Sequence, residues 1–166
     1  MGKFVITFVS FFVCCFCIPA SGQVKDDIWM SGETHLSAYG RDKKHFEVAY
    51  TLGYNFTDRF FVGLNLEEAV TLFDSDGVKD HYVSPTAGAR LGYEVLKCLD
   101  VVAGAGLTCD DEAFKYVYYD GMLRLKGNYK RVIPSIGFGF RYYDAMGGQF
   151  DNHWRMYVSL GCSVQI

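Results

Sequence analysis

The chain has 166 residues, a formal charge of -3, 50% hydrophobic and 17% aromatic residues, 18 glycines and 3 prolines. This length suits one domain with a sizeable core. The acidic balance argues against a nucleic-acid binder, which calls for a basic face, and the 12 Tyr and 14 Phe favour strands.

Met1-Gly2-Lys3 opens with a positive charge, Phe4 to Ile18 is an apolar run broken by Thr7 and Ser10, and Ala20-Ser21-Gly22 places small residues before Gln23. That is the shape of a secretory signal peptide over residues 1–22, and the run falls short of the ~20 residues of a spanning helix. Cleavage removes one lysine from a chain of charge -3, leaving -4 on a mature domain of residues 23–166. Of the cysteines it leaves Cys98, Cys109 and Cys162, an odd set for an oxidising compartment. Cys98 and Cys109 cap opposite ends of one expected strand, about 30 Å apart, so no disulfide framework is expected.

The mature chain reads as roughly ten-residue alternating segments, the signature of a membrane barrel. A first strand is expected within Trp29 to Tyr39. Lys44 to Phe56 sends Phe46, Val48, Tyr50, Leu52, Tyr54 and Phe56 to one face, and Thr57-Asp58-Arg59 turns the chain. Phe60 to Phe73 follows, then a polar loop from Asp74 to Asp80. His81 to Glu94 and Asp100 to Cys109 are joined by a short link at Val95 to Leu99. Phe114 to Lys126 and Arg131 to Tyr142 are joined by a turn at Gly127 to Lys130, and a Gly-rich loop spans Tyr143 to Asn152.

The last segment, His153 to Ile166, alternates most cleanly. Trp154, Met156, Val158, Leu160, Cys162, Val164 and Ile166 form one row, and His153, Arg155, Tyr157, Ser159, Gly161, Ser163 and Gln165 the other. A polar row carrying Arg and Gln beside Gly and Ser suits an enclosed wet face, with the apolar row against lipid. The expected fold is therefore all-β: an eight-stranded antiparallel up-and-down transmembrane β-barrel after a cleaved signal peptide. Three features test the register. Glu68 falls on an apolar row, which implies a bulge or a strand that has left the lipid band. Pro85 and Pro134 cannot donate to a ladder and are expected near strand ends.

Aromatic residues gather at the expected strand ends. Tyr54, Phe56, Phe60, Tyr93 and Tyr129 lie at one end, and Phe46, Phe73, Tyr119, Tyr142 and Trp154 at the other, as interfacial girdles would. The enclosed face is expected to carry Glu33, Glu47, Glu67, Glu94 and Asp120 against Arg90, Arg124, Lys126, Arg141 and Arg155. An eight-stranded barrel is just wide enough for side chains to fill, and buried charges persist only when paired. These ten residues are therefore expected to form a salt-bridged plug. Glu47, Glu67, Arg141 and Arg155 belong to its outer half, and Arg90, Glu94 and Arg124 to its inner half.

The signal peptide, the unit Gly53-Tyr54-Asn55-Phe56-Thr57-Asp58-Arg59-Phe60-Phe61-Val62-Gly63 and the alternating C-terminal strand together resemble the small OmpA/OmpX-like outer-membrane β-barrel domain proteins of Gram-negative bacteria, including the Bacteroides group. The resemblance implies a Sec-exported, monomeric barrel in contact with outer-membrane lipids, lipopolysaccharide and the barrel-assembly machinery. Barrels of this type often end in an aromatic residue; this chain ends in Ile166.

The leading expectation is a non-enzymatic structural or surface-interaction barrel with a largely closed lumen and no cofactor or metal. The alternatives are a narrow ion pore, a lipid A deacylase or acyltransferase, and a secreted lipocalin-like carrier. The enzyme reading rests on Glu33, His35 and Ser37, which share a strand face at i, i+2 and i+4, too loose a set to define roles without geometry. A carrier would need an apolar cavity, at odds with the charged enclosed row. Asp74, Asp76 and Asp80 with Gly77 resemble a fragment of a calcium loop but lack the later bidentate Glu. Asp110, Asp111 and Glu112 add to an acidic outer rim.

Overall fold

The computed structural model describes residues 25–39, 43–75, 78–109, 115–127, 132–146 and 151–166. The expected signal-peptide segment, Tyr129, the side chains of Phe73, Asp74 and Asp80, and the acidic loop at 110–112 lie outside the described residues and side chains. Eight strands follow one another: β1 (Ile28–Tyr39), β2 (Lys43–Asn55), β3 (Phe60–Ser75), β4 (Val78–Leu96), β5 (Leu99–Thr108), β6 (Tyr116–Lys126), β7 (Val132–Ala145) and β8 (His153–Gln165). Each pairs antiparallel with the next, and β8 returns to β1, so the sheet is a closed up-and-down barrel. Closure leaves no open sheet edge for hydrocarbon to strand unpaired.

Polarity is inverted relative to a soluble barrel. Leu64 is 69% exposed, Leu52 50%, Leu123 55% and Met156 56%, whereas Arg141 is 1% exposed and Glu47 2%. The period-two alternation is the cause, since successive side chains point to opposite faces. On β6 the buried row is Tyr116, Tyr118, Asp120, Met122, Arg124 and Lys126, and every described residue between them is more exposed.

The girdle residues whose side chains are described take outward places. Tyr54 packs edge-on to Phe56 with centroids 5.2 Å apart, and Phe60 to Tyr93 at 5.8 Å, at the end where β1 starts and β8 finishes. At the other end Tyr142 lies 4.9 Å from Trp154, its cross-strand partner, and Tyr119 pairs with Tyr142. Phe46 is half-buried beside Val70.

Several boundaries differ from expectation. The β3–β4 hairpin is longer than the polar loop from Asp74 to Asp80 implied, with pairing carried on to Asp74↔Lys79 and Ser75↔Val78. Once the two strands rise together, the ladder continues past the rest of the barrel. Pro85 consequently sits within β4 rather than near its end, but its carbonyl still accepts from Cys109 N at 2.8 Å, one step past the last β4–β5 pair. Pro134 accepts likewise from Gly127 N near the start of β7. Glu68 needs no bulge: the β2–β3 register runs unbroken, so its side chain points outward two positions below Val70 in the outer half. The described cysteines are free, with Cys98 in the β4–β5 turn, Cys109 just past β5 and Cys162 outward on β8.

The start of β1 and the end of β8 are tied at the short-turn end. Ile166 N donates to the Ile28 carbonyl at 3.0 Å, and Asp26, with φ of 66°, donates from its backbone to Asn55 O at 2.8 Å and accepts from Tyr54 Oη at 2.7 Å. A left-handed conformation is one that Asp tolerates better than most residues.

Register once round the barrel fixes its width. Pairing leads from Thr86 through Glu67, Ala49, Glu33, Gly161 and Ser135 to Lys126, and the Lys126 amide then bonds the Cys98 carbonyl beside Leu96. The walk descends β4 by about ten residues, a stagger that corresponds to strands tilted by about 40°. Such a barrel has no room for large side chains on every inward position. Large residues accordingly face glycines across the ladder: Trp29↔Gly53, Phe61↔Gly92, Tyr118↔Gly106 and Tyr157↔Gly139. A methyl group at Gly92 would occupy the space of the Phe61 ring. Gly92→Ala is therefore expected to destabilise the barrel by about 1–3 kcal/mol, and Phe61→Leu in the same chain to recover much of that loss. Gly121→Ala, whose added methyl meets open space on the outer face, should be neutral. Urea unfolding in vesicles checks all three.

Candidate functional site

The enclosed row builds a continuous ionic column along the barrel. At the short-turn end Lys126 Nζ lies 2.8 Å from Glu94 and 2.9 Å from Asp100. Arg124 reaches Asp100 at 2.9 Å and Glu33 at 3.2 Å, and its guanidinium stands 5.1 Å from the Phe61 ring centroid. Beside it the Trp29 indole N–H donates to Asn55 at 3.0 Å, which places the one polar atom of a buried ring on a partner.

In the middle, Arg90 spans Glu33 at 2.9 Å and Glu67 at 3.1 Å. Above it Arg141 holds Glu47 at 2.6 Å, Glu67 at 2.7 Å and Asp120 at 3.4 Å, and stacks 4.0 Å from the Tyr118 ring. A guanidinium presents five donors in a fixed fork, which suits it to several carboxylates at once. Tyr157 donates to Asp120 at 2.9 Å, Tyr143 donates to Glu47, and Asn65 donates to Glu67. At the outer mouth His45 meets Glu47 at 2.9 Å, while Tyr143 stacks on His153 at 4.9 Å and lies under Arg155 at 4.9 Å.

All ten expected interior residues stand on the enclosed face. Glu33, Glu47, Glu67, Arg90, Glu94, Asp120, Arg124, Lys126 and Arg141 are buried, and Arg155 is half-buried at the mouth. The division into halves needs revising. Arg90 belongs to the middle and couples both halves, because its side chain climbs to Glu67. The five-to-five balance is also incomplete, since Asp100, fully buried, and His35 and His45 share the interior. Asp100 stands at a strand boundary, where alternation is hard to assign, but its spacing of two from the buried Val102 carries the signal. The histidines follow from parity with Glu33 and Glu47 on their own strands.

Glu33, His35 and Ser37 do not assemble as an acid–base–nucleophile set. His35 lies between Glu33 at 3.2 Å and Glu47 at 3.1 Å, and the Ser37 hydroxyl donates to the His45 carbonyl at 3.3 Å. His35, Glu47 and Glu67 also bring one potential ligand atom each within 4.8 Å of one another. The cation between those two carboxylates is Arg141, so the donor set is already occupied by a guanidinium.

No family model matches the chain, and no curated protein matches it in sequence. Among solved structures it is similar to a barrel from work titled "De novo design of transmembrane beta-barrels", at 9% identity and a TM-score of 0.50, covering 88% of this chain and 100% of that one. The fold is that of a transmembrane β-barrel. At 9% identity the likeness lies in the course of the backbone, and the ionic column has to be read from this chain's own residues.

Removing one member of a buried pair leaves the others uncompensated, at a cost of about 3–5 kcal/mol. Arg141→Gln is expected to lose that much, and Glu67→Gln added to it to recover part. A double-mutant cycle by urea titration measures the coupling.

Proposed function

We propose that the protein is a non-enzymatic integral barrel of the bacterial outer membrane, exported by the Sec route, with a structural or surface-interaction role. The supporting observation is the inversion itself: a belt of exposed Leu, Val, Met and Phe between two aromatic girdles, around a core of paired ions. A belt of that kind is stable in lipid and a hazard in water. Its contacts are outer-membrane lipids and lipopolysaccharide, the barrel-assembly machinery delivers it, and it acts as a monomer without a cofactor. The resemblance of the strand–turn unit and the C-terminal strand to OmpA/OmpX-like barrels supports this placement.

The lumen is largely closed on this reading. Arg141, Tyr118, Phe61 and Asp100 are among its fully buried side chains, and an eight-stranded barrel leaves little width beyond them. The barrel serves as a rigid scaffold that carries its outer loops at the surface. Absence of catalysis is supported by the pairing of His35 with two carboxylates rather than with a hydroxyl.

Cys162 tests the membrane placement, since its side chain is exposed on the outer face of β8. In a Cys98→Ser, Cys109→Ser variant reconstituted in vesicles, a charged maleimide should leave Cys162 unlabelled until the barrel is unfolded. Rapid labelling of the folded barrel in lipid would defeat the proposal. Planar-bilayer recording should show no steady nanosiemens-scale openings.

A further inference from the structure

We propose that His35 is held as an imidazolium, so that a proton is a built-in component of the barrel's ionic column. Both ring nitrogens face carboxylate oxygens: Nδ1 lies 3.1 Å from Glu47 Oε2 and Nε2 3.2 Å from Glu33 Oε2, in a side chain 1% exposed. An ionised carboxylate only accepts, and a neutral imidazole carries a single N–H. Donating to both acids at once takes the doubly protonated ring.

Charge counting leads to the same state. Among the described residues the enclosed face carries six carboxylates, Glu33, Glu47, Glu67, Glu94, Asp100 and Asp120. Against them stand four buried fixed cations, Arg90, Arg124, Lys126 and Arg141, with Arg155 half-buried at the mouth. An imidazolium at position 35 reduces the excess of buried negative charge, and a low-dielectric interior tolerates an unmatched charge poorly. His45 shares Glu47 from the mouth side, where its Nε2 makes the contact at 2.9 Å.

Every neighbouring strand presents a group to this ring. In direct reach are Glu33 on its own strand, Glu47 on β2, Arg90 on β4 and Tyr157, 4.7 Å from the ring centroid, on β8, with Glu67 of β3 within 4.8 Å; His45 of β2, Asp120 of β6 and Arg141 of β7 contact those carboxylates and Arg90 in turn. Arg90 Nη2 stands 3.4 Å from His35 Nε2. Donation from Arg90 to a neutral Nε2 is the rival arrangement, but it would turn an imidazole lone pair toward Glu33 Oε2 at 3.2 Å. Arg90 is in any case directed at Glu33 and Glu67, at 2.9 and 3.1 Å. Unlike a guanidinium, the imidazolium can release its proton, which makes position 35 a pH-sensitive link of the column. The inference concerns the interior alone and holds whatever membrane houses the barrel.

Two measurements test it. In the folded barrel with 15N-labelled histidine, at neutral pH in detergent, both ring nitrogens of His35 should give the protonated signature, assigned through the contact with the Tyr157 ring. A bare-nitrogen signal from His35 would overturn the proposal. Independently, double-mutant cycles of His35→Asn with Glu33→Gln and with Glu47→Gln should each show a coupling of at least about fivefold in the folding equilibrium. A neutral ring donates to one acid, so coupling in one cycle but not the other would also overturn it. The spectroscopic result stands even if a variant fails to fold.

Discussion

A charge taken out of water is tolerated only among opposite charges and hydrogen bonds, and the interior of this barrel is organised by that requirement. With the apolar row of each strand turned outward, the polar row is forced inside a cylinder too narrow for bulk water. Its acids and bases must then satisfy one another. Arg141 shows how closely this is met, with three carboxylates from three strands around one guanidinium and a Tyr118 ring against its face. Arg90 and Arg124 repeat the arrangement lower down and share Glu33. The result is one connected column rather than a set of independent pairs, so the cost of losing a member depends on what its neighbours can reach.

The backbone makes room for the column through small residues. Inward glycines on β2, β4, β5 and β7 lie across the ladder from Trp29, Phe61, Tyr118 and Tyr157. Each large ring covers the bare backbone of its partner strand, and the ions occupy the remaining cross-section. The aromatics are thus divided by position. Those on the enclosed row fill glycine gaps and lie against guanidinium groups, while those on the outer row stand at both rims, with Tyr50, Phe138 and Phe140 in the belt between.

Much of this is legible in the sequence. Period-two alternation separated Trp154, Met156 and Val158 from Arg155, Tyr157 and Ser159, and it placed all ten named charges on the enclosed face. It was less informative where a strand begins or ends. Asp100, second in β5, follows a two-residue turn with a register shift on β4, so the pattern's one sign of its inward side is its spacing of two from Val102. The β3–β4 hairpin outran its expected length because polar loop-like residues pair readily when two strands already rise side by side. Glu68 invited a bulge that the unbroken register makes unnecessary.

Face and strand order, then, are local properties: a side chain's parity follows from its neighbours in sequence, and short turns leave a chain of alternating segments little choice but a meander. Which acid meets which base is a different matter. Glu33 and Arg124, or Glu47 and Arg141, are separated by most of the chain and come together because the strands tilt and the sheet closes on itself with a fixed stagger. That stagger is a property of the whole ring. The position of His35 between two carboxylates therefore had to await the tertiary structure, since no segment of the sequence carries the width of the barrel.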